Sequence, residues 1–128
     1  MTLHSLKTVI RCADFERSRD FYTRVLGLPV AQEWDEAQGH GAIFSLSGAY
    51  LEIYAMTPAD PRFDQAFTEP LRSDKIDLQI GVDSVDEWAE RLRGVWPFRG
   101  PEVLPWGQRW IQLRDPDRLL LALYEESR

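Results

Sequence analysis

The sequence predicts an α+β fold built from two tandem β-α-β-β-β modules. Some segments alternate apolar and polar residues with the two-residue period of strands, and two segments carry the 3.6-residue period of amphipathic helices. These segments occur in the same order twice, about 70 residues apart, within a chain of 128 residues. That length suits one compact domain rather than two independent ones.

The first module begins with the strand pattern "LKTVIRC" (6–12), followed by a helix within "ADFERSRDFYTRVLGLP" (13–29). Asp14 is the expected N-cap, and Gly27 followed by Pro29 ends the helix. A weaker strand pattern covers Val30 to Trp34, and two clearer ones, "AIFSLS" (42–47) and "YLEIYA" (50–55), are joined by a tight turn at Ser47 and Gly48.

The second module repeats this plan. A strand in "IDLQIGV" (76–82) precedes a helix in "DSVDEWAERLRG" (83–94), and further strands lie near Glu102 to Leu104, in "RWIQL" (109–113) and in "LLLALY" (119–124). The helix is expected to bury Val85, Trp88, Ala89 and Leu92.

Matching letters at an offset of 70 positions support the duplication. "LEIY" at Leu51 to Tyr54 meets "LALY" at Leu121 to Tyr124, and Ile10 meets Ile80. We therefore expect a single domain over 1–128, with module one at about 4–56, a connector at 57–74 and module two at about 75–126.

Composition excludes several classes of function. The net charge is −6, and the 15 basic residues are scattered among 21 acidic ones, so a nucleic acid partner is not expected. The longest apolar run, 119–124, is far shorter than the roughly 20 residues that cross a bilayer. Cys12 is the single cysteine and the first residues do not resemble a signal peptide, so we expect a cytoplasmic protein with no membrane role.

Strand parity separates an apolar face, on which the helices should pack, from a polar-aromatic face. A cavity that binds a small molecule has aromatic walls and a few polar groups, whereas the same rings could instead form a satellite core or a dimer contact. The polar-aromatic face comprises Lys7, Val9, Arg11, Ser45, Tyr50, Glu52 and Tyr54 in module one, and Asp77, Gln79, Gly81, Trp110, Gln112, Leu120, Ala122 and Tyr124 in module two.

Two long connections rich in proline, at 55–74 and 94–107, are either functional loops or plain linkers. Trp106 in the second is a candidate ligand contact, as are, more weakly, Trp34, Phe63 and Phe67.

The segments "ADFERSRDFYTRVLGLPV" (13–30) and "PWGQRWIQLRDPDRLLLALYE" (105–125) resemble the vicinal-oxygen-chelate superfamily of glyoxalases, extradiol dioxygenases and bleomycin-resistance proteins. The resemblance covers nearly the whole chain. It implies a cup-shaped, eight-stranded mixed sheet with helices on the convex face, and usually a two-fold homodimer. Arg118 departs from the pattern, because the family often has glycine after "DPD".

The same resemblance implies four metal-ligand positions in this chain, at Lys7, Glu52, Asp77 (or one residue on either side of it) and Ala122, and only Glu52 matches. An ammonium has no lone pair for a metal, and alanine has no donor at all. Glu52 and Asp77 could still hold Mg²⁺ or Ca²⁺ weakly with water, but His4 and His40 do not complete a set. We therefore expect no catalytic metal and no cofactor, and an ion pair between Lys7 and Glu52 instead.

The leading hypothesis is a metal-free, homodimeric binding protein, similar to the bleomycin-resistance branch, that sequesters an aromatic or cationic small molecule. The ligand would stack on Tyr50, Tyr54, Trp106, Trp110 and Tyr124, and would be oriented by Lys7, Glu52, Asp77, Gln79 and Gln112. One alternative is an enzyme of the superfamily, a lyase, isomerase or dioxygenase, with a relocated metal or acid/base chemistry. The other is a dimeric scaffold without a ligand. No catalytic residue is assigned.

Overall fold

A computed structural model describes residues 1–125 and divides the chain into two compact units, Met1–Pro70 and the part that begins at Leu71. Each unit contains one four-stranded mixed sheet and one main helix. The predicted α+β fold of two tandem modules is therefore confirmed, with most of the connector belonging to the first unit.

Unit one has the sheet order β1-β4-β3-β2, in which β1 runs parallel to β4 and the other pairs are antiparallel. Helix α1 continues directly into a π-helical turn at Phe21–Val25, and a short 3-10 turn lies at Gln65–Thr68 in the connector. The elements are β1 Lys7–Arg11, α1 Phe15–Asp20, β2 Val30–Glu36, β3 Gly39–Leu46 and β4 Ala49–Met56.

Unit two has the equivalent order β5-β8-β7-β6, with β5 parallel to β8. Its elements are β5 Asp77–Val82, α2 Val85–Leu92, β6 Arg99–Val103, β7 Arg109–Arg114 and β8 Leu120–Glu125. The pairs Lys7↔Tyr50 and Asp77↔Leu120 show that the two parallel strand pairs share one register at an offset of 70. The predicted end of module two, Glu126, lies outside the described residues.

Side-chain caps begin both helices. The Asp14 carboxylate accepts a hydrogen bond from the Arg17 backbone N–H at 3.1 Å, as predicted, and the Ser84 hydroxyl accepts one from Glu87 N–H at 3.2 Å. The π-helical turn was not predicted; there the Leu26 N–H donates to the Phe21 carbonyl at 3.0 Å.

The helices cover the apolar faces of their sheets. Phe21, Tyr22 and Val25 are buried with Phe44 and Ile53 in unit one. In unit two, the buried helix residues are Val85, Ala89 and Leu92, which pack with Ile111, Leu121 and Leu123.

The prediction that Trp88 belongs to the core is wrong. Its indole is only partly covered, and the Arg91 guanidinium stands 5.0 Å from the ring centroid. Trp88 lies at the edge of the buried helix face formed by Val85, Ala89 and Leu92. Its large ring therefore remains partly in solvent, with the Arg91 side chain over it.

Within residues 1–125, two turns place a non-glycine residue in the left-handed backbone region. Ser47 and Gly48, with φ of 46° and 85°, form the predicted tight connection between β3 and β4, in the positive-φ geometry that suits a two-residue hairpin. Arg118 also adopts a positive φ, 73°, so the turn before β8 keeps a geometry that favours glycine. No helix within residues 1–125 is long and apolar enough to cross a membrane.

Candidate functional site

Lys7 and Glu52 form the ion pair that the sequence predicts on the polar-aromatic face of unit one. Since β1 and β4 are parallel neighbours with Lys7 opposite Tyr50, the two side chains leave the sheet on the same side. Lys7 Nζ donates to Glu52 Oε1 at 2.8 Å, and the side chains are 43% and 12% exposed, respectively. A carboxylate this enclosed is stabilised by its partner, whereas the lysine keeps contact with water.

The metal-ligand positions of the superfamily do not fit a metal ion in either unit. In unit one, Glu52 already accepts a hydrogen bond from an ammonium, which cannot coordinate a cation. In unit two, Asp77 is exposed and accepts a hydrogen bond from Gln79 Nε2 at 3.1 Å, while Ala122 is fully buried and offers no donor atom. Within each unit's share of residues 1–125, no three His, Cys, Asp or Glu side chains group as metal ligands.

The two histidines lie away from these positions. His40 is on β3, and its ring stacks on Phe15 of α1 with centroids 3.6 Å apart, on the helix side of the sheet. His4 is exposed and precedes β1.

Tyr54 is buried in a cluster with the connector. Its hydroxyl donates to Asp60 Oδ2 at 2.9 Å, and it also lies 3.2 Å from the Gln38 carbonyl. Burial, reinforced by the Asp60 carboxylate, raises the pKa of Tyr54. The phenol therefore serves first to hold the connector onto the sheet, and its predicted stacking on a ligand stays a prediction.

Asp60 is the centre of this cluster, which we name the connector clamp: Tyr54, Asp60 and Arg62. Asp60 is buried and accepts hydrogen bonds from the Arg62 N–H at 2.8 Å, from Nε at 3.1 Å and from Nη2 at 2.9 Å. Hydrogen bonds from Arg62, first from its side chain and then from its backbone, hold the pKa of Asp60 well below its usual range. Sequence reasoning missed the clamp, for which "DPR" at 60–62 is the available signal, since Asp-Pro often starts a turn.

Two glycines on β3 make room for the rings of the same face. The Trp34 and Tyr54 centroids are 6.1 Å apart, and both rings lie across β3. A Cβ atom on Gly41 would fall 2.6 Å from Trp34 Cε2, and one on Gly39 would fall 2.6 Å from Tyr54 Cζ. Both distances are shorter than real Cβ contacts, so glycine is required for the rings to lie where they do.

The remaining aromatic candidates of unit one are more open. Tyr50 is 40% exposed at the start of β4. Phe67, in the 3-10 turn, packs with its ring centroid 5.4 Å from Arg11 Cζ, and Phe63 is partly exposed in the connector. Arg11 was not among the predicted site residues.

In unit two the structure brings Trp110, Gln112 and Tyr124 together. Trp110 is directly opposite Tyr124, and Gln112 is opposite Ala122, so all three half-buried side chains share one face. Trp110 Nε1 donates to Glu102 Oε1 at 2.8 Å, which fixes the indole. Glu102 was predicted only as a strand residue, and this partnership depends on the pairing of β6 with β7.

Trp106 lies in the loop between β6 and β7 and is 68% exposed, with Nε1 donating to Gln108 Oε1 at 3.2 Å. Asp77 and Gln79 occupy the exposed edge strand β5. The polar groups of this face include the Gln79 and Gln112 amides and the Asp77 and Glu102 carboxylates, beside two partly open rings. Arg99, which is opposite Gln112, is ion-paired with Glu102 at 3.6 Å.

Comparison with known proteins gives concordant results. Residues 4–123 match the family model of the Glyoxalase/Bleomycin resistance protein/Dioxygenase superfamily. The chain is 33% identical to the Bacillus subtilis (strain 168) protein YwkD, over 98% of this chain and all of that one. Among solved structures, it resembles TnmS3, an antibiotic binding protein from Streptomyces sp. CB03234, with a TM-score of 0.72 and 22% identity over 98% of both chains. A superfamily member from Sphaerobacter thermophilus DSM 20745 gives a TM-score of 0.73 and 23% identity, again over 98% of both chains.

Proposed function

Because the chain belongs to the Glyoxalase/Bleomycin resistance protein/Dioxygenase superfamily, we propose that it is a metal-free binding protein that takes up an aromatic or cationic small molecule and releases it unchanged. The observation that carries this proposal is the 2.8 Å ion pair between Lys7 and Glu52. The ammonium pairs with the one side chain that matches the superfamily's ligand pattern, so Glu52 already has a positively charged partner where a metal ion would otherwise bind it.

The rings of the polar-aromatic face support the binding of a ligand. In unit one, Tyr50 is open to solvent; in unit two, Trp106 is open to solvent, and Trp110 and Tyr124 are half-buried beside Gln112. Planar rings supply a large apolar contact area and attract cations to their faces, whereas the amides and Asp77 supply hydrogen bonds and negative charge. A solved neighbour of similar fold, TnmS3, is described as an antibiotic binding protein, which makes antibiotics a reasonable first panel.

Calorimetric titration with aromatic and cationic antibiotics tests the proposal. We expect saturable binding of at least one compound, recovery of that compound unchanged by mass spectrometry, and far less than one equivalent of metal in protein purified without a chelator. Near-stoichiometric zinc, nickel, iron or manganese together with conversion of the compound would establish an enzyme instead. If no compound of the panel binds, the proposal is refuted.

A matched pair of tryptophan variants localises the contact. Trp110→Phe should weaken binding about 3- to 10-fold, because it removes part of a stacking surface and an indole held by Glu102. Trp88→Phe, on the helix α2 of the same unit, is the control and should leave affinity unchanged. Equal affinities of both variants and the natural protein would place the ligand elsewhere.

We also propose that the protein acts as a homodimer in the cytoplasm. The superfamily resemblance supports the dimer, and the lone cysteine, Cys12, is compatible with a reducing compartment. Light scattering coupled to size-exclusion chromatography measures the assembly, and a mass of one chain, 14.9 kDa, would contradict the dimer.

A further inference from the structure

Arg11 lies on the polar-aromatic face of unit one. It is the last residue of β1 and is directly opposite Tyr54 of β4, so its side chain leaves the sheet on the same side as Lys7 and Glu52. The residue as a whole is only partly exposed.

Among the described residues, the guanidinium of Arg11 has an aromatic ring as a neighbour but no hydrogen-bond acceptor. Its Nε is buried and has no hydrogen-bond partner within residues 1–125, and no ion pair joins Arg11 to a carboxylate in that part of the chain. Its Cζ stands 5.4 Å from the Phe67 ring centroid. Lys7 and Arg62, which are also in unit one, are each paired, with Glu52 and Asp60 respectively.

A guanidinium without a partner among the described residues, on a face that should contact a ligand, is suited to bind an anion. Arginine presents several donors in a rigid plane that matches the two oxygens of a carboxylate or phosphate. The Phe67 ring restricts the rotation of the guanidinium by stacking, so less conformational entropy is lost when an anion binds. Because residues 1–125 supply no counter-ion to Arg11, an incoming oxyanion does not have to displace one from that part of the chain.

We propose that Arg11 anchors an oxyanion group, a carboxylate or a phosphate, carried by the aromatic ligand. The anion meets the two terminal nitrogens, since Nε is covered. This inference rests on the proposed function and narrows it, because a purely cationic compound gains nothing from Arg11. Phe67, predicted as a weak ligand contact, becomes a positioning residue for the guanidinium.

Four probes with one ring system test the charge preference by calorimetry: 2-naphthoate, 2-naphthyl phosphate, the neutral 2-naphthamide and the cationic 2-naphthylmethylamine. We expect at least one anion to bind about tenfold or more tightly than the amide, the range typical of hydrogen bonds to charged groups. The tighter of the two anions identifies carboxylate or phosphate as the group recognised.

Variants assign the preference to this residue. Arg11→Gln should abolish the preference for the anion, and Arg11→Lys should retain only part of it, because lysine keeps the charge and loses the planar fork. The control is Arg24→Gln, since Arg24 is paired with Asp20 on the helical side of unit one, and it should bind as the natural protein does.

The possible results separate this inference from the proposed function. Equal affinity for the anions and the amide in the natural protein overturns the role of Arg11 and leaves a binding protein for aromatic compounds. An anion preference that survives Arg11→Gln also overturns it; should that variant fail to fold by circular dichroism, an undiminished preference in Arg11→Lys does the same. Failure of all four probes to bind, in a protein that does bind antibiotics, overturns the inference alone.

Discussion

Replacing Gly41 with alanine should destabilise the protein by displacing the Trp34 ring. An added Cβ would lie 2.6 Å from Trp34 Cε2 and 2.9 Å from Cη2, whereas carbon atoms in contact are about 3.5 to 4.0 Å apart. The indole must therefore move by about 1 Å or more, and Trp34 also contacts Tyr54 of the connector clamp. The variant tests whether this part of the polar-aromatic face is tightly packed.

The magnitude follows from two opposing terms. Overpacking of this kind costs about 1 to 3 kcal/mol, while alanine is favoured over glycine in a strand by about 0.5 to 1 kcal/mol. The difference between the midpoints of these two ranges is about 1.3 kcal/mol, and we expect the free energy of unfolding to fall by about this amount, measured by urea denaturation with an unchanged slope. Circular dichroism and tryptophan fluorescence should give coincident transitions.

A double-mutant cycle with Trp34→Ala isolates the steric cause. Once the indole is gone, Gly41→Ala should become neutral or stabilising by about 0.5 kcal/mol, which corresponds to a coupling energy of about 2 kcal/mol. Gly48→Ala is the control: its cost, about 1 kcal/mol, arises from a φ of 85° with no atom within 4 Å, and should be the same with or without Trp34.

Two results would refute this reasoning. A loss below about 0.5 kcal/mol for Gly41→Ala would mean that Trp34 moves freely, and the ring would then not be part of a preformed surface. A loss of equal size in the Trp34→Ala background would mean that the backbone, rather than the indole, rejects the methyl group.

Three further predictions concern charge and backbone strain. Lys7→Met should lower the free energy of unfolding by about 1 to 3 kcal/mol in urea denaturation, more than Glu52→Gln, because only Lys7→Met leaves an enclosed carboxylate without a partner. The double variant should recover part of the loss. A larger loss for Glu52→Gln than for Lys7→Met would contradict this prediction. Hydrogen bonds from Arg62 lower the pKa of Asp60, so the Asp60 carboxylate stabilises the fold at pH values above its ordinary pKa of 3.8, and this stabilisation is lost as the pH falls below that value. Asp60→Asn should therefore lose less stability than the natural protein when the pH is lowered from about 6 to about 3. Equal losses in the two proteins would refute this prediction. Arg118→Gly should raise the free energy of unfolding by about 0.5 kcal/mol, measured by thermal denaturation, because glycine adopts a φ of 73° without the steric cost that arginine incurs. A loss of stability would show that contacts of the arginine side chain outweigh the strain in the turn.

The site was predictable where it depends on strand parity and unpredictable where it depends on the path of the connector. The parity of β1 and β4 is enough to place Lys7 beside Glu52, because parallel neighbours in one module leave few registers open. Nothing local to Tyr54 indicates that Asp60 and Arg62 will fold back over it, and nothing local to Arg11 indicates Phe67. Those contacts depend on the path by which the proline-rich connector folds back onto the sheet.

The sequence by itself determined the duplicated β-α-β-β-β plan, the apolar and polar faces of each sheet and the Asp14 cap, because periodicity and capping are properties of neighbouring residues. Only the tertiary structure decided that Tyr54 is bound to Asp60 in the connector clamp, that Gly39 and Gly41 leave room for aromatic rings, and that Arg11 has no counter-ion within the described part of the chain. These outcomes are set by packing between segments distant in sequence, in which the geometry of both partners decides which groups are satisfied and which remain open to a ligand.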